Sequence, residues 1–591
     1  MVILIANIGT SDLAIEVVVD GTKYYLPIDP LPEINQDKEG LIPQEQDMWT
    51  HPRKYFRESG LYTSLGFSEN VEPTSIKLTE RLLEQYKNNF EYWHSRIHAP
   101  RIWGVVEKAV RMGINQGYIF VTNQQSEKFP EGHEKDTRFL YEILELWFKD
   151  KYPNFVFIPE VIPQNVRVYI PDDLFQYYYD FFNRISLGDT RLKQQKKEEE
   201  LMLISVKGGT PQMKTALQLQ GISVSTVKRL LFVNPQLSIR DVFTGLPSSC
   251  DLEAYWRYMR TQKYQTIKLL LERWDFDGAI QILQNWLEYL DYLIYQGILG
   301  KDKVEKSRNV SKLVLTVLDF SRSCFNLDFQ TAKRLAQIGI SQITTYSELS
   351  YDIFYNLNEI AEKYEIYQYR LLSLYTQNRI YWRLEQIASF LSHLSSFCEE
   401  VLHGLILKWE SEAGYWIVKS DGEIKDEFNI DVKKLQNSKG TVWENFTKLQ
   451  GDFAPKSNKG SYRLTNRYSK RSFVEALVQF RNNKDEIAAW NRLCDGLKQL
   501  DFWIDQRNKL IHTATGFSKE LMQDLYIGYT PEPNKSAPCA PNAILMVMAA
   551  IAKNELVDLK TVDFVGEEAD FYIYTFVTDW MVSTLLTDGL Q

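Results

Sequence analysis

Cysteine is scarce: Cys250, Cys324, Cys398, Cys494 and Cys539 are the only five in 591 residues, far apart and without a CxxC pair. That spacing excludes a zinc knuckle and a disulfide framework and predicts a reducing, cytoplasmic setting. Long apolar runs are also missing. The longest, Ala543 to Ala552, is about half of what a membrane-spanning helix needs, so no membrane contact is expected. The apolar start, Met1 to Ala6, has no basic region or cleavage site, is too short for a signal peptide, and reads as a buried strand. Positive charge is not in excess: 68 Lys plus Arg stand against 77 Asp plus Glu, a net charge of -9. A surface coated all over by nucleic acid is thereby excluded, stable DNA binding is not expected, and any RNA contact must be local. Neither GxGxxG nor GxxxxGK[ST] occurs at a strand-to-helix turn, so dinucleotide binding and P-loop hydrolysis gain no support.

What is present has the composition of a soluble globular chain, with 44% hydrophobic and 25% charged residues, and its length suits roughly three or four domains. In the first part, short apolar runs at Val2-Ala6, Tyr118-Thr122, Phe155-Ile158, Leu201-Val206 and Leu230-Val233 read as buried strands. Helical patterns lie between them: Thr79 to Met112 broken at Pro100, Thr137 to Trp147, and Pro171 to Arg184. This alternation predicts an α/β, Rossmann-like, doubly wound parallel sheet over residues 1-235. Asp20-Gly21 between two strand-like runs predicts a hairpin after strand one. The charged run Arg191 to Glu200 is expected to be a solvated loop or helix face.

Beyond about residue 236 the strand signal gives way to helices rich in Tyr, Trp and Leu, including Ser311 to Ile338, Tyr351 to Leu374 and one long helix from Arg379 to Ile406. We divide this part into a helical connector, 236-375, and a helical domain, 376-591. A small β-rich insertion is expected at about 415-471, with a hairpin at Asp421-Gly422. Helix resumes from Phe473 through Ile511 with an interruption at Asn482-Asn483, and Pro541-Asn542 opens another.

Ligands of a parallel sheet bind beyond the carboxyl ends of its strands. Three such ends carry small polar residues: Asn7 to Asp12, Thr122 to Gln125, and Lys207 to Met213. In the third, Gly208 and Gly209 let the backbone approach a ligand closely, Thr210 can cap the following helix, and Pro211 suits its first position. The same residue types also serve plain strand-to-helix turns. A second candidate site is Arg507-Asn508-Lys509-Leu510-Ile511-His512, at the end of a helical stretch. Asn508 and His512 share a helix face. Two copies about a twofold axis would place two arginines and two histidines in one cleft, suited to a phosphodiester: arginine stabilises the phosphorane oxygens, histidine moves a proton, and the 2'-hydroxyl of RNA supplies the nucleophile, so no metal is required. The alternative is that His512 caps the helix and Arg507 makes a surface ion pair. A third feature is the basic run Lys456, Lys459, Arg463, Arg467, Lys470 and Arg471, which either steers RNA or is a solvated loop.

The opening Ile-Ala-Asn-Ile-Gly-Thr-Ser-Asp, the turn Lys-Gly-Gly-Thr-Pro-Gln-Met and a late Arg-Asn-x-x-x-His occur in that order, and the chain thereby resembles the CRISPR-associated CARF-HEPN ribonucleases of type III systems. The resemblance implies a CARF-like sensor over 1-235 that binds a cyclic oligoadenylate as allosteric activator. The implied binding residues are Gly9, Thr10, Ser11, Asn123, Gln124, Lys207, Gly208, Gly209, Thr210 and Met213. It further implies a HEPN-like endoribonuclease over 376-591 with Arg507, Asn508 and His512 as catalytic residues, a homodimer, single-stranded RNA as substrate, and no metal or other cofactor. Cleavage of the activator in the sensor, through Thr10, Ser11 and Lys207, stays open. So do a non-catalytic nucleotide sensor or scaffold, and a constitutive HEPN toxin.

Overall fold

The computed structural model describes residues 2-30, 40-68, 71-124, 127, 129-190, 201-224, 229-343, 352-415, 417, 428-437, 442-456, 460-513, 516-531, 536-559 and 561-589; within its helices the side chains of 130-131, 186-190, 224, 343, 352, 410-413 and 508-513 lie outside the description. Two compact units emerge, one of Met1-Arg260 with Glu288-Val304, the other of Thr261-Leu287 with Glu305-Gln591. Residues 236-375, expected as a connector, are shared between these units.

The first unit is built on six strands in the order β6-β5-β1-β7-β8-β9: β1 Val2-Asn7, β5 Gln116-Val121, β6 Val156-Val161, β7 Leu201-Ser205, β8 Arg229-Gln236 and β9 Ser249-Glu253. The five strands expected from apolar runs are all present and parallel, with Leu4 opposite both Gly117 and Leu203, but β6, at the sheet edge, is only partly covered rather than buried. Residues 3-6 are completely covered, as both-faced burial of a central parallel strand requires. The expectation of a wholly parallel sheet needs one correction. β9 runs antiparallel to β8, with Phe232 opposite Glu253, and its polar Ser-Cys-Asp-Leu-Glu sequence gave no apolar signal because an edge strand is covered on fewer sides.

The hairpin comprises β2 Ala14-Val19 and β3 Thr22-Pro27, joined by Asp20 and Gly21 at φ +49° and +80°, and β2 also pairs with β4 Ile97-His98. Two positive φ values in a two-residue loop match the twist of the strands it joins. Around the sheet, Phe120 of β5 meets Tyr178 and Phe181 of the helix Pro171-Thr190 edge-on, at 4.8 and 4.9 Å between ring centres. Tyr289, from the second stretch of this unit, donates its buried hydroxyl to the carbonyl of Leu230 at 2.7 Å and to that of Ala254 at 3.3 Å.

The second unit is helical. Its helix Tyr367-Arg383 is buried nearly all round, polar residues included. Gln377 there donates to the Tyr574 hydroxyl at 3.0 Å and to the Cys324 carbonyl at 3.2 Å, satisfying groups that would otherwise carry a full desolvation penalty. Tyr264 and Ser307 donate to buried Asp588 at 2.9 and 2.6 Å, which fastens the last helix, Ile573-Gly589.

Expected boundaries fail where the chain turns without glycine or proline. The long helix expected over 379-406 is two, Tyr367-Arg383 and Ile387-Ala413, separated at Glu385 with φ +57°. Likewise Lys301-Phe325 and Phe329-Ile343 part at Leu327, φ +60°. The break at Asn482 is as expected: this residue, at φ +52°, ends Arg467-Arg481 before Lys484-Thr513 begins. The insertion is less β-rich than expected. Its described residues hold two three-residue strands, β10 Asn429-Asp431 and β11 Ser461-Arg463, beside the helices Val432-Asn437 and Val442-Gln450. The run 191-200 and the turn at 421-422 lie outside the described residues.

Candidate functional site

At the carboxyl ends of β1, β5, β6 and β7 the loops enclose a cavity of about 840 Å³. Gly9 and Gly209 pack backbone to backbone: a Cβ on Gly9 would stand 3.1 Å from the Gly209 nitrogen. Gly208, at φ +96°, lies so close to Arg101 and the Asn7 carbonyl that a Cβ would meet them at 2.3 and 2.6 Å. Only glycine combines that φ with that approach. Thr210 caps the helix Pro211-Val224, accepting from the Met213 amide at 3.1 Å, while its hydroxyl donates to the Val168 carbonyl beyond β6 at 2.7 Å.

Beneath the loops lies Arg101, 4% exposed, at the start of the helix Pro100-Arg111. Its guanidinium forms a two-pronged pair with fully buried Asp12, and donates to the Lys207 carbonyl and, at 3.2 Å, to the Asn7 carbonyl. Asp12 in turn accepts from the Gly9 amide at 2.7 Å. One buried arginine thus ties the first loop to the third. A planar fork held by a carboxylate and two carbonyls fixes both backbones at once. On the cavity wall, Asp29 follows the hairpin and is held by Arg53 at 3.1 Å and Ser75 at 3.0 Å. Burial pushes its carboxyl upward, but hydrogen bonds from Thr10, Arg53 and Ser75 outweigh this and hold it below the usual range.

Of the residues expected to bind a ligand, Gly9, Thr10, Ser11, Gly208, Gly209, Thr210 and Met213 line the cavity. The second loop reaches it through Thr122. Gln124 is instead buried in the loop's own support, its amide donating to Asp136 at 2.7 Å and its side chain to the Val166 carbonyl at 3.3 Å. Burial raises the Asp136 carboxyl above its ordinary value. Lys207 contributes its carbonyl to Arg101. Sequence reasoning missed Arg101, Asp29, Phe129, Lys135 and Tyr169. Arg101 meets its carboxylate across 89 positions, and no local pattern announces such a pair.

In the second unit Arg507 lies in the last turns of Lys484-Thr513 and donates to the Ser392 hydroxyl of the helix Ile387-Ala413 at 3.2 Å. The backbone of Asn508 and His512 continues that helix, and their side chains lie outside the description. Three of the six cations in the expected basic run are matched by acids. Arg467, 11% exposed, pairs with Asp501 at 2.8 Å and with Asp505. Arg471 pairs with Asp501 at 2.7 Å, and Lys470 with Glu399 at 2.9 Å. These three cations join helices, so the free cationic surface expected there is correspondingly smaller. Burial works against the charge of Arg467, but the two aspartates more than compensate and raise its pKa. Lys456 is exposed, Arg463 sits in β11, and Lys459 lies outside the described residues. No group of His, Cys, Asp and Glu suited to a metal ion occurs among the described residues, and none of the described helices is long and apolar enough to cross a membrane.

No protein-family model matches the chain, and no curated protein matches it. Among solved structures it is similar to Enterococcus italicus Csm6 bound to cyclic hexa-2'-fluoro-hexa-dAMP, with 15% identity and a TM-score of 0.42 over 80% of this chain and 92% of that one.

Proposed function

We propose that this chain is a cyclic-oligoadenylate-activated, metal-independent endoribonuclease of type III CRISPR defence, acting as a cytoplasmic homodimer on single-stranded RNA. The observation that carries the reading is the convergence of the Gly9 and Gly208-Gly209 loops on one cavity at the strand ends, in a chain whose other unit bears Arg507-Asn508-x-x-x-His512. A cyclic oligonucleotide of even size has a twofold axis and can present the same groups to two identical cavities. Its binding activates only if it favours the arrangement in which two Arg507-His512 segments face each other.

In that cleft the substrate's 2'-oxygen attacks the adjacent phosphorus. The 5'-oxygen leaves, giving a 2',3'-cyclic phosphate and a free 5'-hydroxyl. Arg507 stabilises the charge on the phosphorane, and His512 moves the proton between the attacking and leaving oxygens. Asn508, on the same face as His512, orients the phosphodiester.

The test incubates purified protein with labelled RNA, EDTA and cyclic oligoadenylates of four and six units. Cutting should require the activator, survive EDTA, and fall at least a hundredfold in His512→Ala and Arg507→Ala. A His512→Ala variant that cuts like the parent refutes the assigned site. Equal cutting without activator favours a constitutive ribonuclease, and activator binding without any cutting favours a non-catalytic sensor.

A further inference from the structure

The hydrogen-bonding groups on the floor of the sensor cavity are largely engaged by the protein itself: Arg101 holds Asp12 and two carbonyls, and Thr210 holds Val168 and Met213. Two aromatic rings on its wall are differently placed. Phe129, from the segment after β5, and Tyr169, from the segment after β6, meet edge-on at 5.9 Å and 68°. Tyr169, on the cavity wall, is 46% exposed. Lys135 and Lys214 line the same cavity. An exposed aromatic ring in one cavity with two lysines is the combination a nucleotide needs, with stacking for its base and positive charge for its phosphate. Residues that merely sealed the strand ends would be covered, as Phe120 and Tyr178 are.

We infer that Tyr169, backed by Phe129, is the base-stacking surface of this cavity and sets its preference for purine over pyrimidine rings. The inference rests on the proposed function for the identity of the ligand, and on the cavity alone for the position of its base. Purines have the larger stacking face, so the discrimination follows from ring area and needs no hydrogen bond to the base edge. Removing one stacking partner should weaken binding roughly tenfold to a hundredfold.

The experiment titrates the full-length chain, in the His512→Ala background, with cyclic oligoadenylate, cyclic oligouridylate, and an adenylate ring carrying one 2-aminopurine. The parent should prefer the adenylate ring and quench the 2-aminopurine. Tyr169→Ala should bind adenylate at least tenfold more weakly, lose most of its preference over uridylate, and quench less. Tyr169→Phe, which keeps the ring and drops the hydroxyl, should stay within about threefold of the parent, because stacking requires only the π-face. Half-exposed Tyr169 can be truncated without opening the core, and an unchanged melting temperature checks this. If the parent binds adenylate rings and Tyr169→Ala binds them equally well with the same preference, the inference falls and the functional reading stands. If the parent binds no cyclic oligoadenylate, both fall.

Discussion

The residue on which the strand-end cavity turns is Arg101. Its carboxylate partner is fully buried, and removing one member of such a pair leaves an uncompensated charge in a medium that solvates it poorly. Arg101→Met should therefore destabilise the chain by about 3-5 kcal/mol in urea unfolding. The double change Arg101→Met with Asp12→Leu should recover much of that loss while still binding the proposed activator poorly, because the two loops are no longer tied. Full recovery of binding in the double variant would show that the pair stabilises without positioning. The two glycines and the threonine of the third loop are legible in the sequence because turn chemistry is local: positive φ, close approach and a helix cap each demand one residue type. The pairs that hold those loops, Arg101 with Asp12 and Asp29 with Arg53, span 89 and 24 positions and leave no periodic trace.

At the scale of elements, strands are readable where apolar residues run together, even in β6, which is only partly covered, and opaque where the run is short or polar. All five parallel strands follow from apolar runs, whereas β4 and β9 are short or polar and carry no such signal. Helix ends at Leu327 and Glu385 are missed because both residues adopt a positive φ that sequence patterns reserve for glycine or asparagine. The helix Arg467-Arg481 yields a prediction that separates latch from RNA contact. With its charge matched by Asp501 and Asp505, Arg467→Met should cost about 2 kcal/mol of stability. It should leave the salt dependence of RNA binding unchanged, whereas a true phosphate contact would lower that slope by about 1.

A pH effect belongs to the first unit. His98 on β4 packs against Tyr25, Trp103 and Trp147, with ring centres 4.2, 6.0 and 5.8 Å away. Burial, aided by the nearby Lys151 and His94, lowers its pKa from 6.5 to about 4, against a smaller opposing pull from Glu16. The unfolded chain takes up this proton first, so the stabilisation is complete above pH 6.5 and is lost as pH falls toward 4. Melting temperature followed across that window should drop less steeply in His98→Phe than in the parent, and parallel curves would remove His98 as the cause.

For the whole molecule, the sequence predicts a change from α/β to helical architecture near residue 236, whereas the sheet continues to β9 at Ser249-Glu253, and no pattern marks where compactness divides. Composition shifts once along the chain, whereas the first unit ends, resumes at Glu288 and ends again at Val304. Tyr289, which reaches the carbonyls of Leu230 and Ala254, lies in the returning stretch. A fragment of residues 1-260 should accordingly unfold at lower urea than one of residues 1-304 by circular dichroism, and equal midpoints would make the returning stretch dispensable. The seams at 260, 287 and 304 fall inside the helices Trp256-Leu271, Phe276-Tyr295 and Lys301-Phe325. Recombination that grafts a different first unit onto the second therefore has to transplant two stretches of chain together and splice within continuous helices, which makes the pair far harder to shuffle than modules joined by a loose tether.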